Sequence, residues 1–189
     1  MSRVPTAERL SADEFLALPH DEGVRWRQLI EGELIVNEPS WMHNDSQLTI
    51  LAALRLWVRA GDARGGVNLP VDVLLDDRNV YKPDVVWYRE GRSPMRGDPP
   101  PYAPPDLAVE VRSRSTWRYD VGAKKANYER YGVAELWLVD TAADVVLVFR
   151  CSSAASPAFD VSEELDVGAT LTSPLLAGFA LRVAEIFGD

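Results

Sequence analysis

The chain has 189 residues, of which 47% are apolar, 9% aromatic and 26% charged, enough for one full hydrophobic core and too apolar for a disordered tail. Its 20 basic and 29 acidic residues leave a net charge of −9, which argues against loose, sequence-blind binding of nucleic acid. One cysteine, Cys151, and two histidines, His20 and His43, exclude the usual zinc ligand sets, so any metal would be held by oxygens.

The opening Met1-Ser2-Arg3-Val4-Pro5-Thr6 lacks the pattern of a secretory signal, and no apolar run approaches the roughly 18 residues of a membrane helix. One cytoplasmic domain over 1–189, without disulfides, is expected. Ser11-Ala12-Asp13-Glu14 is a capping-box pattern ahead of an apolar run, and Pro19 ends the short helix. Residues 26–30 and 34–36 flank Glu31-Gly32-Glu33 and predict a β-hairpin. From about His43 to Ala60 apolar residues recur every three or four positions, which predicts the longest helix, closed by Gly61 and Gly65-Gly66. A second hairpin is predicted from 71–75 and 80–88 around Asp76-Asp77-Arg78-Asn79. Pro83 cannot donate to a ladder, so it marks an edge, bulge or bend and leaves 84–87 as the useful strand. The proline-rich stretch 90–105 reads as a loop. Strands are predicted over 106–111, 135–139 and 145–149, with a helix over 120–131. That helix makes the first connection a crossover, so the strands it joins are expected to be parallel. After a loop over 152–157, the tail 171–187 reads as a short strand and a terminal helical turn. The sum is an α/β or α+β protein, a mixed sheet of six to eight strands flanked by helices.

No phosphate-binding glycine loop, zinc-protease motif or serine-hydrolase elbow is present. The chemistry-bearing candidates are Asp84, opening Asp84-Val85-Val86-Trp87, and Glu110, inside Leu107-Ala108-Val109-Glu110-Val111. A carboxylate among such apolar neighbours must be paired, protonated or bound to a cation. Two of them on neighbouring strands would seat Mg²⁺ or Mn²⁺. Asp120, Lys124 and Tyr128 follow at i, i+4, i+8 and share one helix face. A lysine there would position water or neutralise developing phosphate charge. Residues 110–130 hold six basic and three acidic side chains, a local excess of positive charge in an acidic chain.

The ordered set Pro83-Asp84, Asp106-Leu107-Ala108-Val109-Glu110-Val111-Arg112-Ser113, Asp120 with Lys124 and Tyr128, and Gly132 to Asp140 resembles the "putative restriction endonuclease" family expanded in cyanobacteria, of the PD-(D/E)XK nuclease superfamily. Gln28-Leu29-Ile30-Glu31-Gly32-Glu33 is similar to that family's opening hairpin, His43 to its histidine on the first long helix, and Ser173 to Phe179 to its tail. The resemblance implies a restriction-endonuclease-like fold and a metal-dependent phosphodiesterase, often dimeric, whose lysine has moved from the position of Arg112 to Lys124. It further implies DNA as substrate, with Asp84, Glu110 and the carbonyl of Val111 holding Mg²⁺ or Mn²⁺ and Glu33 a candidate third acid. Gln28, His43, Arg112, Ser113, Asp120 and Tyr128 are secondary candidates. Gln28 replaces the family's usual hairpin glutamate, and Arg114 its usual proline. The alternative readings are a catalytically inactive nuclease-fold dimer serving as a binding or scaffold protein, and a metal-dependent hydrolase of a small phosphate ester.

Overall fold

A computed structural model describes residues 9–19 and 26–188; the opening Met1 to Thr6 and His20 lie outside them. In chain order the elements are α1 (Ala12–Leu16), β1 (Arg27–Ile30), β2 (Glu33–Val36), α2 (Trp41–Arg59), β3 (Gly66–Asn68), β4 (Val73–Asp76), β5 (Asn79–Tyr81), β6 (Val85–Tyr88) and β7 (Leu107–Val111). There follow a single turn α3 (Trp117–Tyr119), a wide kinked turn (Asp120–Lys124), α4 (Lys125–Arg130), β8 (Glu135–Asp140), β9 (Val145–Arg150), β10 (Val161–Leu165), β11 (Thr170–Leu171), β12 (Leu181–Arg182) and α5 (Val183–Phe187).

The strands form two main sheets rather than the single sheet expected. A six-stranded mixed sheet has the order β10-β9-β8-β7-β6-β3, a four-stranded antiparallel sheet the order β2-β1-β5-β4, and β11-β12 make a small ribbon. The expected strand over 80–88 breaks at Lys82-Pro83 into β5 and β6, one in each sheet. Proline lacks the N–H a continuous ladder needs, and the chain changes sheet there. The first hairpin therefore pairs with β5, through Leu29↔Val80, and not with the strands carrying Asp84 and Glu110. Its turn needs Gly32, at φ 80°, because a Cβ there would lie 2.8 Å from Arg9 Cβ.

The expected crossover holds: β7 and β8 are parallel, with Glu110↔Leu138 in register. All five β7 residues are buried, as suits a strand covered on both faces. One face packs on α2 and α5 through Ile50, Leu54, Val85, Val109, Trp137 and Ile186. The other packs Val86, Ala108, Leu136 and Leu138 against Tyr81 and Tyr128. The long helix starts at Trp41, where the Ser40 side chain caps the His43 N–H. The strands β3 and β10 are additions to the expected set. The first is three residues long, and Val161-Ser162-Glu163-Glu164-Leu165 carries almost no apolar signal because it is a sheet edge held by its ladder to β9. Among the described residues no helix is long and apolar enough to cross a membrane.

Candidate active site

Asp84 stands where the chain enters β6, and its N–H donates to the Val109 carbonyl at 2.9 Å. The antiparallel register, Val85↔Val109 and Val86↔Ala108, brings Asp84, just before β6, beside the end of β7 that carries Glu110. Both are buried, at 6% and 3% exposure. Asp84 Oδ2 accepts the Val111 N–H at 2.7 Å, and Oδ1 lies 3.1 Å from His43 Nε2. A carboxylate only accepts, so the imidazole carries its proton on Nε2. Burial disfavours the charged imidazole, but the Asp84 hydrogen bond and charge outweigh it, and the His43 pKa is raised. One helical turn further along α2, Gln47 Nε2 donates to the Asp84 carbonyl at 2.7 Å. The sequence signal for Gln47 was its i+4 spacing from His43.

The stripe Asp120, Lys124, Tyr128 faces inward, and all three are buried. Gly122, at φ −112° and ψ −105°, breaks the helical path between Asp120 and Lys124, a kink that turns both toward β7. Lys124 Nζ lies 2.6 Å from Glu110 Oε1 and 3.0 Å from Asp120 Oδ1. Neither contact has hydrogen-bond alignment, and Nζ and Asp120 Oδ1 are both left without a hydrogen bond among the described residues. Tyr128 donates its hydroxyl to Glu110 Oε1. Thr116 Oγ1 donates to Asp120 Oδ2 at 3.0 Å and sits 2.8 Å from Ser113 Oγ. Burial pushes the Glu110 carboxyl up to about 8 despite the Lys124 charge. Burial also raises Asp120, against the same ammonium, while the acids around Lys124 hold its ammonium well above the usual range despite burial. Two buried carboxyls thus share one lysine, a third is held by His43, and burial favours the neutral forms of Glu110 and Asp120.

The other sequence candidates lie around this cluster. Arg112 binds Asp140 through Nη1, at 2.7 and 2.9 Å, and stacks on Trp117 with its guanidinium 5.3 Å from the ring centroid. With Ser113, Arg114, Ser115 and Ser40 it lines a groove of about 490 Å³ beside the end of β7. Glu33 is exposed, and its polar neighbour is the Tyr119 hydroxyl at 3.5 Å. Gln28 is buried and accepts the Lys82 N–H at 3.4 Å. The structure thus brings Asp84, Glu110, Val111, Lys124, Asp120, Tyr128 and His43 together, with Ser113 linked through Thr116, and leaves Glu33 and Gln28 outside. The first hairpin lies in the other sheet, paired with β5 rather than with β6 or β7.

The profile of the Uma2 family, described as "Putative restriction endonuclease", matches residues 12–184. The chain belongs to the Uma2 family. No curated protein matches the chain. A solved structure of the same fold is that of a protein from Anabaena variabilis ATCC 29413, described as "a putative nuclease belonging to DUF820". The TM-score is 0.77 at 21% identity, over 94% of this chain and 97% of that one. The Uma2 chain thus has the restriction-endonuclease-like fold expected from the resemblance. Among its described residues no three Asp, Glu, His or Cys side chains converge as a metal-binding group. The donors of the cluster still fit a hard divalent cation. Magnesium needs only one or two protein carboxylates and keeps several waters, and Asp120 Oδ1 is a buried oxygen without a hydrogen bond.

Proposed function

We propose that the protein is a metal-dependent endonuclease that hydrolyses phosphodiester bonds in DNA, acting in the cytoplasm as a homodimer. The observation that carries this reading is the buried set Asp84, Glu110 and Asp120 with Lys124 against the last two, acids that a divalent cation would draw into their ionised forms. Asp84, Glu110 and the Val111 carbonyl would hold Mg²⁺ or Mn²⁺. The chemistry the ion supplies at such a seat is polarisation of a phosphoryl oxygen and acidification of bound water. His43 and the Val111 N–H would fix the Asp84 carboxylate from two sides, and Tyr128 would orient Glu110. Lys124 would stabilise negative charge building on the phosphate, with Asp120 holding its ammonium in place. Arg112, Arg114, Ser113 and Ser115 would meet the backbone along the groove, a contact that positions without reading sequence.

A second reading is favoured by one feature: both Asp84 oxygens and Glu110 Oε1 already have partners inside the protein. A fold so closed would serve as a binding or scaffold protein without catalysis. Calorimetric titration of Mn²⁺ into the wild type and an Asp84→Ala, Glu110→Ala double mutant, with and without a DNA duplex, separates the two. Saturable binding lost in the mutant, together with Mn²⁺-dependent cleavage, supports the enzyme. Absence of binding and of cleavage in both conditions supports the scaffold.

A further inference from the structure

One face of α2 faces solvent with chemistry that a monomer does not use. Leu48 is 61% and Leu56 71% exposed, and Trp41, at the helix start, is 86% exposed. These residues flank Ala52, also exposed, in a symmetric pattern: Leu48 and Leu56 stand four residues to either side, Asp45 and Arg59 seven. At 100° per residue these positions fall within about 40° of the Ala52 direction, so they form one stripe. Neither Asp45 nor Arg59 has an ion-pair partner among the described residues, whereas ten other ion pairs are present. The opposite side of α2 is committed to the core through Ser46, Ile50 and Leu54.

A pattern symmetric about one residue is what an isologous contact requires, since a two-fold axis sets residue i opposite j and j opposite i. We infer that this face of α2 is the surface on which two copies of this chain associate, the helices antiparallel and the axis at Ala52. The small side chain at the axis lets the two backbones approach. Leu48 packs beside Leu56 of the partner subunit, and Asp45 meets Arg59 of the partner subunit, each contact occurring twice. Asp45 and Arg59 are opposite in charge, so this antiparallel register is attractive, while a parallel one would bring Asp45 to Asp45 and Arg59 to Arg59. The helix is about 28 Å long, and Trp41, eleven residues before Ala52, extends the apolar contact past the end of the partner helix, toward the turn at residue 63. The stripe lies on α2 alone, away from the acid cluster, so the inference rests on the homodimer of the proposed function and not on its chemistry.

Sedimentation equilibrium of the full chain over a hundredfold concentration range tests it, with mass as the readout. The wild type is expected at twice 21.0 kDa. Leu48→Glu with Leu56→Glu should raise the dissociation constant about a hundredfold or more, with circular dichroism confirming an unchanged fold. Asp45→Arg and Arg59→Asp should each weaken the dimer about tenfold or more, and the double exchange should restore it. The restoration is specific to this register. A wild type that stays monomeric, or a dimer indifferent to the Glu substitutions, overturns the proposal. Loss of nuclease activity with the dimer intact would count against the function proposed above and leave this interface standing.

Discussion

Strand β7 carries a buried acid at its C-terminal end and follows directly on another, and the two are treated in opposite ways. Asp106, just before the strand, is 1% exposed. It accepts from Arg89 Nε at 2.6 Å, from Arg92 Nη1 at 2.5 Å and from the Arg89 N–H at 2.9 Å. The two guanidinium side chains are themselves 53% and 43% exposed, so they bring charge to the acid while staying solvated. Glu110, four residues on, shares one fully buried ammonium with Asp120, in contacts without good alignment. The first arrangement ties down the proline-rich loop after β6. The second leaves Lys124 Nζ and Asp120 Oδ1 without an aligned hydrogen bond in a dry place, an arrangement in keeping with the ligand site proposed above.

The contrast can be broken most sharply by activity. Glu110→Gln should lower Mn²⁺-dependent DNA cleavage more than about a hundredfold and abolish calorimetric Mn²⁺ binding, while Asp106→Asn should leave both within about twofold. On stability, Lys124→Met removes the one cation from the cluster and should destabilise the metal-free protein by about 3–5 kcal/mol in urea melts, with part recovered on adding Mn²⁺. Replacing Asp106 by Asn should cost about 2 kcal/mol, since Arg89 and Arg92 can turn to water.

The pH dependence sharpens the same comparison. Glu110 is pushed from an ordinary 4.5 up to about 8 by burial, so the folded protein binds this proton more tightly than the unfolded chain. Its favourable contribution is full below the unfolded value and is lost as the pH rises through about 8. In EDTA, stability should therefore fall between pH 5 and 8.5, by on the order of 4 kcal/mol. Glu110→Gln should flatten that fall, and Mn²⁺ should oppose it by favouring the ionised carboxyl. The smallest effect is expected from Glu33→Gln, within about twofold in cleavage and about 0.5 kcal/mol in stability, because Glu33 is exposed and apart from the cluster.

Much of this was legible in the chain. Alternation and apolar runs marked β6, β7, β8 and β9, helical spacing marked α2, and the i, i+4, i+8 stripe Asp120, Lys124, Tyr128 was visible before the face it turns inward was known. Acids set among Val and Leu drew attention to Asp84 and Glu110, because a carboxylate so placed needs a partner. Asp106 carried no comparable warning: it opens a strand as many surface aspartates do, and only Arg89 and Arg92, fourteen or more residues earlier, reveal its burial. For Gln47 the one signal was its i+4 spacing from His43, which a solvated helix residue shares as readily.

Local order is written in neighbouring residues: which segments are strands and helices, where Pro83 interrupts a ladder, and which acids sit in apolar surroundings. These follow from steric and solvation rules that act over a few residues. Tertiary structure alone decided that two sheets form instead of one, that Glu33 is left outside, and that His43, Asp84, Glu110, Asp120 and Lys124 meet. Those outcomes depend on ladders and packing between segments tens of residues apart, such as the 41 positions separating His43 from Asp84. No short-range rule carries that information, because it resides in the competition among alternative long-range pairings of the whole chain.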